Sequence, residues 1–166
     1  MEILNEYITL ATDPIFQYFM IGCGILSLIC WIATVLTDNY SQVDRIWSII
    51  PAVYAWLFVY TAVNYNPIGS NRAIIMALLT TLWGSRLTYN FWRKDGYNFK
   101  TEDYRWIYVR KMFFYPKYKL PYHIFNFVFT AVLQNYLLMF LVVPIWFIQT
   151  SENTHKDLNM FDYLNV

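Results

Sequence analysis

Arg86, Asn90 and Arg93 stand at intervals of four and three in the run Leu82-Trp83-Gly84-Ser85-Arg86-Leu87-Thr88-Tyr89-Asn90-Phe91-Trp92-Arg93. On a helix that spacing sets two guanidinium groups and an amide on one face, with the phenol of Tyr89 beside them. The run belongs to an apolar segment long enough to cross a bilayer, where an unpaired charge is costly. Arg86 must therefore face protein, water or a ligand, which makes this face a binding-site candidate. A second polar set, His123, Asn126, Thr130 and Gln134, recurs at intervals of three, four and four on a helix otherwise rich in Phe, Val and Leu. Such a stripe faces the bundle, either as hydrogen bonds between helices or as the lining of a ligand cavity.

The elements that must position these groups follow from composition. The 166-residue chain is 58% hydrophobic and 21% aromatic with 14% charged residues, too apolar for a soluble domain of this size. An all-α, polytopic integral membrane protein is predicted. Four segments can span roughly 30 Å of hydrocarbon at about 1.5 Å per residue: Ile15–Leu36, Ile46–Val63, Ala73–Trp92 and Tyr122–Ile148. The fourth is longer than needed, so tilt or a kink is expected where Pro144 removes a backbone donor. The predicted layout is an N-terminal segment 1–14 with an interfacial helix over Glu2–Ala11, a four-span body 15–148 with a basic loop 93–121, and a polar tail 149–166.

Charge is unevenly spread. Arg93, Lys94, Lys100, Arg105, Arg110, Lys111, Lys117 and Lys119 all lie between the third and fourth spans. The positive-inside rule puts that loop and Thr37–Arg45 on the cytoplasmic or equivalent side, with both chain ends opposite. Lipid phosphate and nucleotide phosphate both suit these charges, whereas nucleic acid does not suit basic groups tied to a membrane edge. The first fourteen residues hold Glu2, Glu6 and Asp13 without Lys or Arg, unlike a secretory signal or a mitochondrial transit peptide, so the first span is expected to stay as an anchor. Cys23 and Cys30 lie about 10 Å apart along one helix and cannot bridge each other. No Cys/His spacing suits a metal, no Gly-rich loop suits phosphate, and no Ser/His/Asp set suggests hydrolysis.

Ser41-Gln42-Val43-Asp44-Arg45-Ile46-Trp47-Ser48-Ile49-Ile50-Pro51 with Tyr54-Ala55-Trp56, then Thr81–Asn90, Arg93, Gly96-Tyr97 and Glu102-Asp103-Tyr104-Arg105-Trp106, resemble in order the front part of an uncharacterised branch of the steroid 5-alpha-reductase-like membrane family. The blocks cover about residues 40 to 111. The resemblance implies six or seven helical spans in the whole family member, NADPH as cofactor, and reduction of a carbon–carbon double bond conjugated to a carbonyl. It implies that the first spans shape a lipid or steroid cavity and that later spans hold most of the cofactor. The Arg-His-Pro-Asn-Tyr-like segment expected of the later half is not found in this sequence.

By that resemblance, Tyr89 or Glu102 would donate a proton to the substrate carbonyl, a role suited to a dry site. Arg86, Asn90, Arg93 and Arg105 would reach cofactor phosphate or amide groups, and Asn126, Thr130 and Gln134 would line the cavity. The plainer alternative for Asp103–Arg105 and Asp44–Arg45 is a charge network tying two loops on the same side. Two functions follow. One is a non-catalytic, reductase-derived subunit of a larger membrane assembly, such as a respiratory complex, with no NADPH bound by this chain alone. The other is half of a split or fragmentary NADPH-dependent enone reductase whose second chain carries the cofactor. A related isoprenylcysteine methyltransferase has less support, because its signature also lies in the later half. Membrane lipids and other membrane chains are the expected partners, in the endoplasmic reticulum or the mitochondrial inner membrane.

Overall fold

The computed structural model describes residues 12–65 and 70–150, and every regular element among them is helical. In chain order these are α1 (Pro14–Thr37), α2 (Gln42–Ile46), α3 (Ile50–Tyr65), α4 (Ser70–Arg93), α5 (Tyr104–Met112), α6 (Lys119–Phe125), a π-helical segment (Asn126–Leu133), α7 (Gln134–Phe140) and α8 (Val143–Thr150). The expected interfacial helix over Glu2–Ala11 and the tail from Ser151 lie outside the described residues. Among the described residues, two helical runs are long and apolar enough to cross a membrane, Pro14–Thr37 and Lys119–Phe147. Helix α3 has 16 residues, about 24 Å at 1.5 Å per residue, against roughly 30 Å of hydrocarbon. Helix α4 has the length, at 24 residues, but Arg86, Asn90 and its Ser and Thr residues dilute its apolar character. The last run breaks at Leu141-Val142, just before Pro144, where α7 ends and α8 begins.

The chain forms two compact units, one from residues 1–43 and 102–136, the other from 44–101 and 137–166. In the first, Asp13 starts α1: its Oδ1 accepts from the backbone of Ile15 at 2.8 Å and of Phe16 at 3.0 Å, with Pro14 in the first turn where no amide is needed. The buried face of α1 carries Phe16, Cys23, Ser27, Cys30 and Thr34 and packs on the π-helical segment, with Trp31 edge-on to Phe127 at 5.2 Å. Ser27 and Thr34 donate to the carbonyls of Cys23 and Cys30, each at 2.9 Å, so these hydroxyls are satisfied within their own helix. Both cysteines are buried thiols that are not joined in a disulfide. Beyond α1, Tyr40, Trp106 and Tyr122 form an aromatic core, flanked by Val109, Phe113, Tyr115 and Phe125.

The second unit is built on α3 and α4, which run antiparallel. Ser48 and Thr88 share a hydrogen bond of 2.8 Å, and the Trp56 indole donates to Thr81 at 2.9 Å. Gly84 sets the closeness of the pair, since a Cβ there would overlap the backbone carbonyl of Ser48. Helix α8 completes the unit, with Trp146 against Phe58 at a ring separation of 5.9 Å.

Candidate functional site

Between α3 and α4 the second unit opens a cleft of about 840 Å³, within the size range of small-molecule sites. Its walls are largely apolar and aromatic, with Trp56 and Tyr60 from α3 and Tyr89 and Trp92 from α4. The hydroxyls at its edge divide into two kinds. Ser48 and Thr88 bond each other, and Thr81 accepts from Trp56 while donating to the Ala77 carbonyl at 2.7 Å. Tyr60, Ser85 and Tyr89 make no side-chain hydrogen bond among the described residues, so they are the polar groups a ligand meets. The Tyr89 ring lies 6.0 Å from that of Trp92 and remains 58% exposed.

The other residues singled out on α4 divide by face. Asn90 lines a separate, smaller cavity of about 220 Å³ with Asp44, Trp47 and Lys94. Arg86 and Arg93 are exposed and line neither cavity. Arg86 forms no ion pair or hydrogen bond among the described residues. The shared helical face is therefore present, but the phenol and the amide open on different spaces and the guanidinium groups on neither.

In the first unit Glu102 is one end of a clasp between two loops. Its Oε1 accepts from the backbone N–H of Tyr40 at 2.7 Å and from Arg110 at 2.9 Å. Arg110 also donates to the carbonyl of Asp38 at 2.8 Å, and its guanidinium lies over the rings of Tyr40 and Tyr115, at 4.9 and 5.5 Å. Tyr115 donates to the Asp38 carboxylate at 2.8 Å, and Ser41 accepts from the backbone of Asp103 at 2.9 Å. Burial pushes the Tyr40 phenol well above its usual range, and burial with the nearby Asp38 carboxylate raises that of Tyr115, so both stay protonated. A carboxylate gripped by a guanidinium and an amide is an anchored acceptor, which does not suit Glu102 to donating a proton. Arg105 is likewise engaged, with its Nε 2.7 Å from Asp103, the residue that caps α5.

The polar stripe lies in the same unit. Asn126 and Thr130 are 1% and 2% exposed, and both ends of the Asn126 amide and the Thr130 hydroxyl have no hydrogen-bond partner among the described residues. Gln134 is half-buried. In the first unit Asp38, Tyr40, Glu102 and Arg110, with Asp103 on Ser41, tie two loops, and in the second Arg45 donates to the carbonyls of Asn98 and Thr101 at 3.3 and 3.2 Å. Asp38, Tyr40, Arg110 and Tyr115 have no motif spacing in the sequence; the available signal was a pair of loops rich in aromatic and charged residues.

Residues 30–166 match the family described as "Protein of unknown function (DUF1295)". An uncharacterised protein of Schizosaccharomyces pombe is 47% identical over 115 residues, a stretch covering 69% of this chain and 33% of that protein. The match thus spans about a third of the curated relative's length. No solved structure matches the chain.

Proposed function

This chain belongs to the DUF1295 family of proteins of unknown function, and we propose that it is the ligand-holding part of a reductase-like membrane protein, taking a flat or elongated apolar molecule that bears a carbonyl. The observation that carries the reading is the cleft of about 840 Å³ with Trp56 and Trp92 as walls and Tyr60, Ser85 and Tyr89 as its unengaged hydroxyls. The resemblance of residues 40 to 111 to steroid 5-alpha-reductase-like proteins supports it, because an enone is an apolar body with one strong acceptor. Tyr89 is the residue placed to donate to that acceptor, and a phenol strengthens this bond as enolate charge develops on the oxygen. In this reading α3 and α4 join the two long apolar runs as four spans, in the endoplasmic reticulum or the mitochondrial inner membrane.

Of the residues named for NADPH, Arg105 is paired with Asp103 in the first unit, and in the second Asn90 opens on its own small cavity while Arg86 and Arg93 line neither cavity described above. No step through the dinucleotide is derived from them. The chain's part is to bind and orient the apolar ligand, as a non-catalytic subunit of a larger assembly or as half of an enzyme whose other part holds the cofactor.

Titrating the protein in nanodiscs with a steroidal or long-chain enone, while following tryptophan fluorescence, tests this reading. Saturable quenching that is reduced in Trp92→Phe and lost when Trp56→Phe is added is expected. Tyr89→Phe should weaken the enone about threefold to tenfold, the worth of one hydrogen bond, and leave the parent hydrocarbon unchanged. Equal affinity of the native protein for enone and hydrocarbon, or no saturable binding, would refute it.

A further inference from the structure

We propose that α5 and the turn after it, residues 104–120, form a surface that lies in the headgroup layer of the bilayer and binds anionic phospholipid. The proposal does not use the cleft and stands apart from the function argued above. From Tyr104 to Leu120 the chain has no acidic residue, whereas Arg105, Arg110, Lys111, Lys117 and Lys119 are basic and seven residues are aromatic: Tyr104, Trp106, Tyr108, Phe113, Phe114, Tyr115 and Tyr118.

Helix α5 is apolar on two sides, and only one is covered. Trp106, Val109 and Phe113, at intervals of three and four, enter the aromatic core. Tyr104, Ile107, Tyr108 and Met112, also at helical intervals, are exposed, and Phe114, Tyr118 and Leu120 prolong that surface past the helix. A contiguous aromatic and apolar patch of this kind marks a partner surface. Lysines sit within it: Lys111 reaches over the Tyr108 ring at 5.9 Å and Lys117 over the Tyr118 ring at 5.3 Å. Apolar stems and rings laid flat with ammonium groups above them suit the boundary between acyl chains and phosphates.

Two observations choose a membrane over a protein partner. The surface runs directly into Lys119, where an apolar helical run long enough to cross a bilayer begins, so the segment is placed at the level where aromatic residues and phosphates meet. The complete lack of carboxylates gives it one sign of charge, complementary to an anionic leaflet. Arg110 and Arg105 are not counted, since Glu102 and Asp38 already hold the first and Asp103 the second.

The test uses the full chain in nanodiscs with a cysteine at Met112, whose side chain is exposed, labelled with an environment-sensitive fluorophore on the folded protein, in which Cys23 and Cys30 are buried. Blue-shifted emission that is quenched by lipids brominated high on the acyl chain is expected. In discs of mixed zwitterionic and anionic lipid, Lys111→Gln, Lys117→Gln and Lys119→Gln should each lower the enrichment of fluorescent anionic lipid around the protein, by up to about fivefold per lysine. Emission like that of the label in water overturns the proposal. So does lipid enrichment indifferent to all three substitutions, and so does displacement of the label's signal by NADPH, which would give these charges to a nucleotide instead.

Discussion

Replacing Arg110 by methionine should cost the first unit about 2–3 kcal/mol. The estimate starts from the 3–5 kcal/mol typical of removing one partner from a buried ion pair. Two features of the structure lower it: Arg110 and Glu102 keep 24% and 17% of their side-chain surface exposed, and Glu102 retains the N–H of Tyr40 at 2.7 Å. For a chain of this size such a loss corresponds to a fall in melting temperature of about 5–10 °C. Glu102→Gln should cost less, about 1–2 kcal/mol, because Arg110 keeps the Asp38 carbonyl at 2.8 Å. The two share one hydrogen bond, so the double variant should be more stable than the sum of the singles predicts, by about 1–2 kcal/mol. Equilibrium unfolding in mild detergent, followed by near-ultraviolet dichroism of the Tyr40, Trp106 and Tyr122 cluster, measures all three. Additivity within about 0.5 kcal/mol would show that the pair does not couple the loops, and would refute the clasp.

Two further outcomes follow from packing and burial. Gly84→Ala should destabilise the second unit by about 1–3 kcal/mol and weaken ligand binding in the cleft, since the new methyl group meets the Ser48 carbonyl; unchanged melting and binding would show that α3 and α4 do not depend on that approach. Because burial raises the Tyr40 phenol above its unfolded value, its contribution is intact below about pH 10 and falls as pH rises beyond, by up to about 1.4 kcal/mol for each unit; pH-dependent unfolding of native and Tyr40→Phe proteins checks this, the variant being expected to lose less stability between about pH 10 and 11.

What the sequence makes legible is the set of residues that share an element and a face. Helical spacing brings Arg86, Asn90 and Arg93 to one side of α4, and apolar length marks α1 and the last run as membrane-crossing candidates. Pro144 carries its own signal, a missing donor, and the chain breaks a helix just before it. Spacing does not say which neighbour covers a face. Tyr89 lines the cleft and Arg86 does not, and the segment just before α3 meets α4 where Gly84 admits the Ser48 carbonyl. That contact joins positions 36 apart in sequence and leaves no periodic trace.

Glu102 shows the same limit in chemical form. As a residue type, a carboxyl group near an apolar cavity suits a proton donor. Its role is set by what closes on it: Arg110 from α5 and the Tyr40 amide from the loop after α1 both donate to one oxygen. Tyr40 is decided in the same way. In the sequence it stands between two loop residues with no spacing to mark it, yet Tyr122 at 4.6 Å, Trp106 at 6.1 Å and the Arg110 guanidinium at 4.9 Å bury it fully. Long-range closure thus makes Glu102 the acceptor for two donors and the unmarked tyrosine a core residue, and it leaves Tyr60 and Tyr89, with no side-chain hydrogen bond among the described residues, as the phenols available to a ligand.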